Sequence, residues 1–158
     1  MTTLTLGDLS TDDLRGRTIL VRVDFNVPLD DAGAITDDTR IRRTLPTLAH
    51  LTGAGARVAL LSHLGRPGGE PNPAFSLAPV ARRLGELQDA PVAFAPETVG
   101  EGARAAVEAL SDGEIVVLEN TRFLPGETAN DPELARAMAE LGEAFVNDAF
   151  GTAHRAHA

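Results

Sequence analysis

Four loops of this 158-residue chain carry groups that could hold an anion. The runs leading into DFNVP, SHLGRP, ENTRF and NDAFGTAHR each pass from apolar, strand-like sequence to polar sequence, and the last three deliver Arg66, Arg122 and Arg155. Arg40 joins them from the first turn of the helix expected after the first run, where the helix dipole disfavours a cation. Guanidinium groups bind carboxylate and phosphate bidentately, through charge-assisted hydrogen bonds roughly twice as strong as neutral ones. Several on one rim imply a small ligand with more than one anionic group. All 14 basic residues are arginine. The absence of lysine excludes a phosphate-loop lysine, a Schiff-base lysine and the lysine of receiver-like phosphoryl sites.

Other groups invite weaker assignments. Asp24, at a strand end, could cap a helix or orient a substrate hydroxyl; as a phosphoryl-accepting nucleophile it lacks the second Asp that the dehalogenase pattern needs where Asn26 stands. His154 and His157 have i, i+3 spacing but no further metal-ligand partner nearby in sequence, so no metal is expected. A Ser62–His–Asp148 triad lacks a nucleophile elbow around the serine. The GRPGGEPNP loop lacks phosphate-loop spacing, and Arg42, Arg43, Arg82, Arg83, Arg104 and Arg136 are expected on solvated helix faces.

The elements that must position these groups alternate in type. TILVRV (Thr18 to Val23), RVALLS (Arg57 to Ser62), PVAFA (Pro91 to Ala95), EIVVL (Glu114 to Leu118) and AFVND (Ala144 to Asp148) are the expected strands, the third weak and peripheral. Between them, Asp37 and Asp38 open a helix with Ile41, Leu45, Leu48 and Leu51 on one face and Pro46 as a kink; Gly53 to Gly55 ends it. Ser76 is expected to cap a helix burying Leu77, Val80, Leu84 and Leu87. Thr98 and Glu101 have capping-box spacing before a helix to Leu110, and Asp131 with Pro132 starts a helix through Leu141. This order predicts an α/β fold: a doubly wound, mostly parallel, Rossmann-like sheet with helices on both faces, its ligand beyond the carboxyl ends of the strands.

The composition agrees with one globular domain, of a size that buries roughly 70% of its unfolded surface. A net charge of −9 without Trp or Tyr argues against nucleic acid or an anionic membrane surface as partner. The acidic start lacks a signal-peptide pattern, no apolar run is long enough to span a bilayer, and there is no cysteine. A cytoplasmic location is the expectation.

VRVDFNVP, SHLGRP with PNPAFSLAPVA after it, LENTRF and FVNDAFGTAHRAHA, in this order, resemble phosphoglycerate kinase over nearly the whole chain. The resemblance implies a two-domain enzyme whose N-terminal domain binds 3-phosphoglycerate and whose C-terminal domain binds magnesium–ATP, with a hinge closing the cleft. It implies that Asp24 and Asn26 contact the hydroxyl and carboxylate end of the substrate. His63, Arg66, Arg122 and Arg155 would surround its phosphate, and Arg40 would stabilise the transferred phosphoryl group as the catalytic residue. Phe25, Leu64 and Gly65 belong to the same substrate-binding loops, and His154 matches a histidine near the patch. Family members continue beyond AHRAHA, so residues 1–158 are expected to be a single substrate domain without its nucleotide half. Magnesium–ATP or ADP is expected only on that missing half, the fragment is expected to be inactive alone, and the full-length enzyme is expected to be a monomer. AFVND would become a sheet edge. The alternatives are a non-catalytic binding module for a small phosphorylated acid and an interaction protein pairing through its truncation face.

Overall fold

The computed structural model describes residues 10–127 and 129–148. Five strands, β1 (Thr18–Arg22), β2 (Arg57–Leu61), β3 (Val92–Ala95), β4 (Ile115–Leu118) and β5 (Ala144–Asn147), form one sheet in the order β3-β4-β2-β1-β5. Every pairing between these strands is parallel, with Arg22 opposite Leu61 and Asn147, and Leu60 opposite Val117. Parallel neighbours require crossover connections, and helices supply them.

Alternation along each strand divides the core in two. Ile19 and Val21, Val58 and Leu60, and Ile115 and Val117 point to one face, where they pack on Ile41, Leu48 and Leu51 of α2 (Thr39–Gly53) and Val80 and Leu84 of α3 (Ala78–Leu87). Leu20, Ala59, Leu61, Val116 and Leu118 point to the other, against Ala103 and Val107 of α4 (Glu101–Glu108) and Met138 of α5 (Pro132–Ala139). The sheet is therefore doubly wound, as the alternating pattern predicts. A further four-residue helix, α1 (Thr11–Leu14), precedes β1 and opens on a capping box between Ser10 and Asp13; it is not among the elements expected from the sequence.

Helix ends depart from expectation in informative ways. α2 runs unbroken from Thr39 to Gly53 with Pro46 inside it. Asp37, not Asp38, accepts from the Thr39 N–H, which leaves Asp38 to hold Arg42 and Arg83. Arg42 and Arg83 are thus ion-paired rather than merely solvated. Ser76 does accept from the Ala78 N–H at 3.2 Å, but Glu119 beyond β4 accepts from the Leu77 N–H at 2.9 Å and completes the cap. Thr98 caps nothing: its hydroxyl donates to the Glu119 carbonyl, and Glu97 instead accepts from the Gly102 N–H. Asp131 caps α5 as expected, through the Glu133 N–H. α4 and α5 stop at Glu108 and Ala139, short of Leu110 and Leu141. No helix among the described residues is long and apolar enough to cross a membrane.

Candidate anion-binding site

β2 and β4 are neighbours, yet the chain leaves β2 for α3 on one face and leaves β4 for α5 on the other. Loops that diverge in this way open a crevice at the carboxyl ends of the strands. Its walls are Ser62 to Arg66 after β2 and Glu119 to Arg122 after β4, with Asp24 to Asn26 beside them after β1.

Asn120 ties the two walls together. Its side chain is fully buried and uses all four of its hydrogen-bonding positions. Oδ1 accepts from the Leu64 N–H at 3.2 Å and the Arg122 N–H at 3.0 Å, while Nδ2 donates to the Leu64 carbonyl at 2.7 Å and the Phe75 carbonyl at 2.9 Å. Asn26 Oδ1 accepts from the Gly65 N–H at 2.8 Å, and Ser62 Oγ accepts from the Phe25 N–H at 2.9 Å, so the first loop is bound to the second. Gly65 has φ +63, and a Cβ there would lie 2.5 Å from the Phe75 ring, so only glycine fits.

Onto this frame the charged groups are placed. Arg122 Nη1 donates to the Gly65 carbonyl at 3.2 Å, and Arg40 Nη1 reaches both Asp24 carboxylate oxygens, at 3.0 and 3.1 Å. That pair supplies a structural reason for a cation in the first turn of α2. His63 is buried beside Arg122 and Arg22; burial first, and then the two guanidiniums, push its imidazole down to about 4. It is neutral at pH 7. Arg66 is exposed and forms no ion pair with the described residues. Phe25 and Leu64 turn their side chains into the core, leaving only backbone near the crevice. Arg155, His154 and His157 lie outside the described residues.

Ser62 is no nucleophile of a triad, since its hydroxyl is buried and donates to the His63 carbonyl at 3.0 Å. No cluster of three or more His, Asp or Glu that could hold a metal occurs among the described residues.

The sequence reading missed Arg22 and Glu127. Arg22 ends β1 and its Nη2 donates to Glu127 Oε1 at 3.0 Å, both side chains being almost wholly buried. A charged residue inside the β-branched run TILVRV was the one available signal for Arg22; nothing local marked Glu127, 105 residues away in sequence.

Comparison with known proteins agrees with this architecture. The phosphoglycerate kinase family model matches residues 8–158. Phosphoglycerate kinase of Synechococcus elongatus is 56% identical over 158 residues, covering 100% of this chain and 39% of that protein. The Salinispora tropica enzyme is 56% identical over 163 residues, covering 41% of its length. Among solved structures, phosphoglycerate kinase from Pyrococcus horikoshii superposes with a TM-score of 0.86 at 32% identity, over 98% of this chain and 38% of that one. The Coxiella burnetii enzyme gives 0.83 at 41% identity, over 98% and 37%. The chain thus spans about two fifths of the length of these relatives. It belongs to the phosphoglycerate kinase family and corresponds to the N-terminal part of its members.

Proposed function

We propose that this chain is the 3-phosphoglycerate-binding part of a phosphoglycerate kinase, working in reversible phosphoryl transfer between 1,3-bisphosphoglycerate and ADP. In the direction of ATP use, a carboxylate oxygen of 3-phosphoglycerate attacks the γ-phosphorus, and the bond to the bridging oxygen of ADP breaks. The carboxylate is already ionised, so no general base is required. Catalysis is then positioning and charge stabilisation, which arginines can supply.

In this proposal Asp24 and Asn26 receive the hydroxyl and carboxylate end, with the backbone of Phe25, Leu64 and Gly65 shaping the loops around it. His63, Arg66, Arg122 and Arg155 receive the phosphate. Arg40 leaves Asp24 for the transferring phosphoryl group and spreads its transition-state charge. Magnesium–ATP or ADP binds on a second domain of the complete enzyme, as the chain's partial coverage of its relatives suggests. The family's metabolic role suggests a cytoplasmic setting.

The observation that supports this most is the crevice between β2 and β4, where Asn120 holds the loops that carry His63, Arg66 and Arg122. Calorimetric titration tests it. The chain is expected to bind 3-phosphoglycerate in preference to glycerate, with affinity falling as salt is raised. Arg122→Ala is expected to lose about tenfold or more, since hydrogen bonds to charged groups are worth about 1.5–3 kcal/mol. Equal affinity for the two ligands overturns the proposal.

A further inference from the structure

Beneath the crevice, Arg122 belongs to an ion triad whose other two members, Arg22 and Glu127, have no part in the proposed roles. Glu127 is completely buried; Arg22 and Arg122 are nearly so, with side chains 9% and 10% exposed. One carboxylate oxygen accepts from Arg22 Nη2 at 3.0 Å, and the other lies 3.4 Å from Arg122 Nε. Two guanidiniums and one carboxylate leave a net positive charge under the rim, beside a histidine that its surroundings keep neutral.

Stability alone is a poor reason for this arrangement. Taking charges out of water costs more than pairing usually returns, and apolar residues of similar volume often serve a fold as well. The geometry has a more specific consequence. Arg122 is held from two directions, by a hydrogen bond from Nη1 to the Gly65 carbonyl and by the charge of Glu127, whose Oε2 lies 3.4 Å from Nε without making a hydrogen bond. Its second terminal nitrogen has no hydrogen-bond partner among the described residues. A planar guanidinium hydrogen-bonded at one nitrogen and facing a carboxylate at another is restrained in its plane, and the remaining donor is restrained in its direction. Glu127 is itself held by a turn, its N–H donating to the Leu124 carbonyl at 3.2 Å while the Asp131 N–H donates to that of Gly126 at 2.9 Å.

We propose that Glu127 is a positioning residue for the anion site, orienting Arg122 so that its free donor meets the substrate phosphate. This rests on the proposed 3-phosphoglycerate function. Glu127 touches no substrate and acts through Arg122.

A double-mutant cycle on this chain tests it, read by calorimetry with 3-phosphoglycerate and with glycerate, each variant's fold being checked by circular dichroism. Glu127→Gln is expected to weaken 3-phosphoglycerate about tenfold while leaving glycerate within twofold, because only the phosphorylated ligand uses the oriented donor. Glu127→Asp, which keeps the charge one methylene further back, is expected to fall between the two and to serve in place of Glu127→Gln should that variant not fold. In an Arg122→Ala background, Glu127→Gln is expected to cost less than a further twofold. Wild-type affinity in both Glu127 variants, equal losses for both ligands, or a full additional loss in the Arg122→Ala background each overturns the role. Unchanged binding in Arg122→Ala itself would instead overturn the functional proposal on which it rests.

Discussion

His63 shows how the crevice constrains a single residue. Burial against two guanidiniums holds its imidazole near 4, below the usual 6.5. The unfolded chain therefore binds a proton at this site more readily than the folded one. Between pH 6.5 and about 4 the unfolded state carries the extra proton, so stability falls as pH is lowered through that window. The stability present above pH 6.5 is diminished by about 2–3 kcal/mol once the pH reaches 4. Urea titrations across this range, with wild type and His63→Asn, are expected to show a flatter pH dependence in the variant; identical slopes would place the titration elsewhere. Asp24 and Arg40 illustrate a different constraint. The two charges neutralise each other, and under the proposed function Arg40 exchanges this partner for the ligand anion.

At the scale of elements, the segment after β4 does more than carry Arg122. Glu119 accepts from the Leu77 and Asn120 N–H groups at 2.9 and 2.8 Å and from the Ser76 hydroxyl at 2.7 Å, fastening the start of α3 to the end of β4. Asn120 repeats the fastening one residue on. Glu119→Ala would leave two amide donors without their acceptor, and each buried unsatisfied group costs about 1–3 kcal/mol. A loss of about 2 kcal/mol or more in equilibrium unfolding is expected, along with weaker 3-phosphoglycerate binding because the Arg122 loop loses its anchor. A loss below about 0.5 kcal/mol would show that water replaces the carboxylate readily. The start of α3 depends on a residue 42 positions ahead, so its own segment shows only Ser76 as a cap.

Across the molecule, the sheet is buried at its centre and, among the described residues, exposed at the β5 side. β1, β2 and β4 are covered on both faces, whereas β5 is largely exposed and, among the described residues, pairs only with β1. Phe145 on that strand is 58% exposed. Strand edges with open N–H and C=O groups recruit further strands. The 158-residue chain is expected to self-associate in sedimentation experiments, and Phe145→Lys is expected to reduce the association. A monomer at high concentration would remove the edge as a driving feature. At the same scale, a coupled assay is expected to find no ATP-dependent turnover by this chain alone; turnover above a blank would show that nucleotide binds within it.

The sequence alone determined the fold class, the order of elements, most core residues and the loops that bear the arginines. These are local or periodic properties: β-branched runs, helical spacing of Leu and Val, and polar motifs directly after strands. Tertiary structure decided which strands are neighbours, and with them which loops face each other. Hydrophobic periodicity records that a strand is buried but not what lies beside it, so the placing of β4 next to β2, and the crevice between them, had to come from packing. The same holds for Arg22 and Glu127. Arg22 shows locally only as a charge inside an apolar run and Glu127 not at all, and only the sheet order, which gathers the loops from distant strands, brings their charges together away from water.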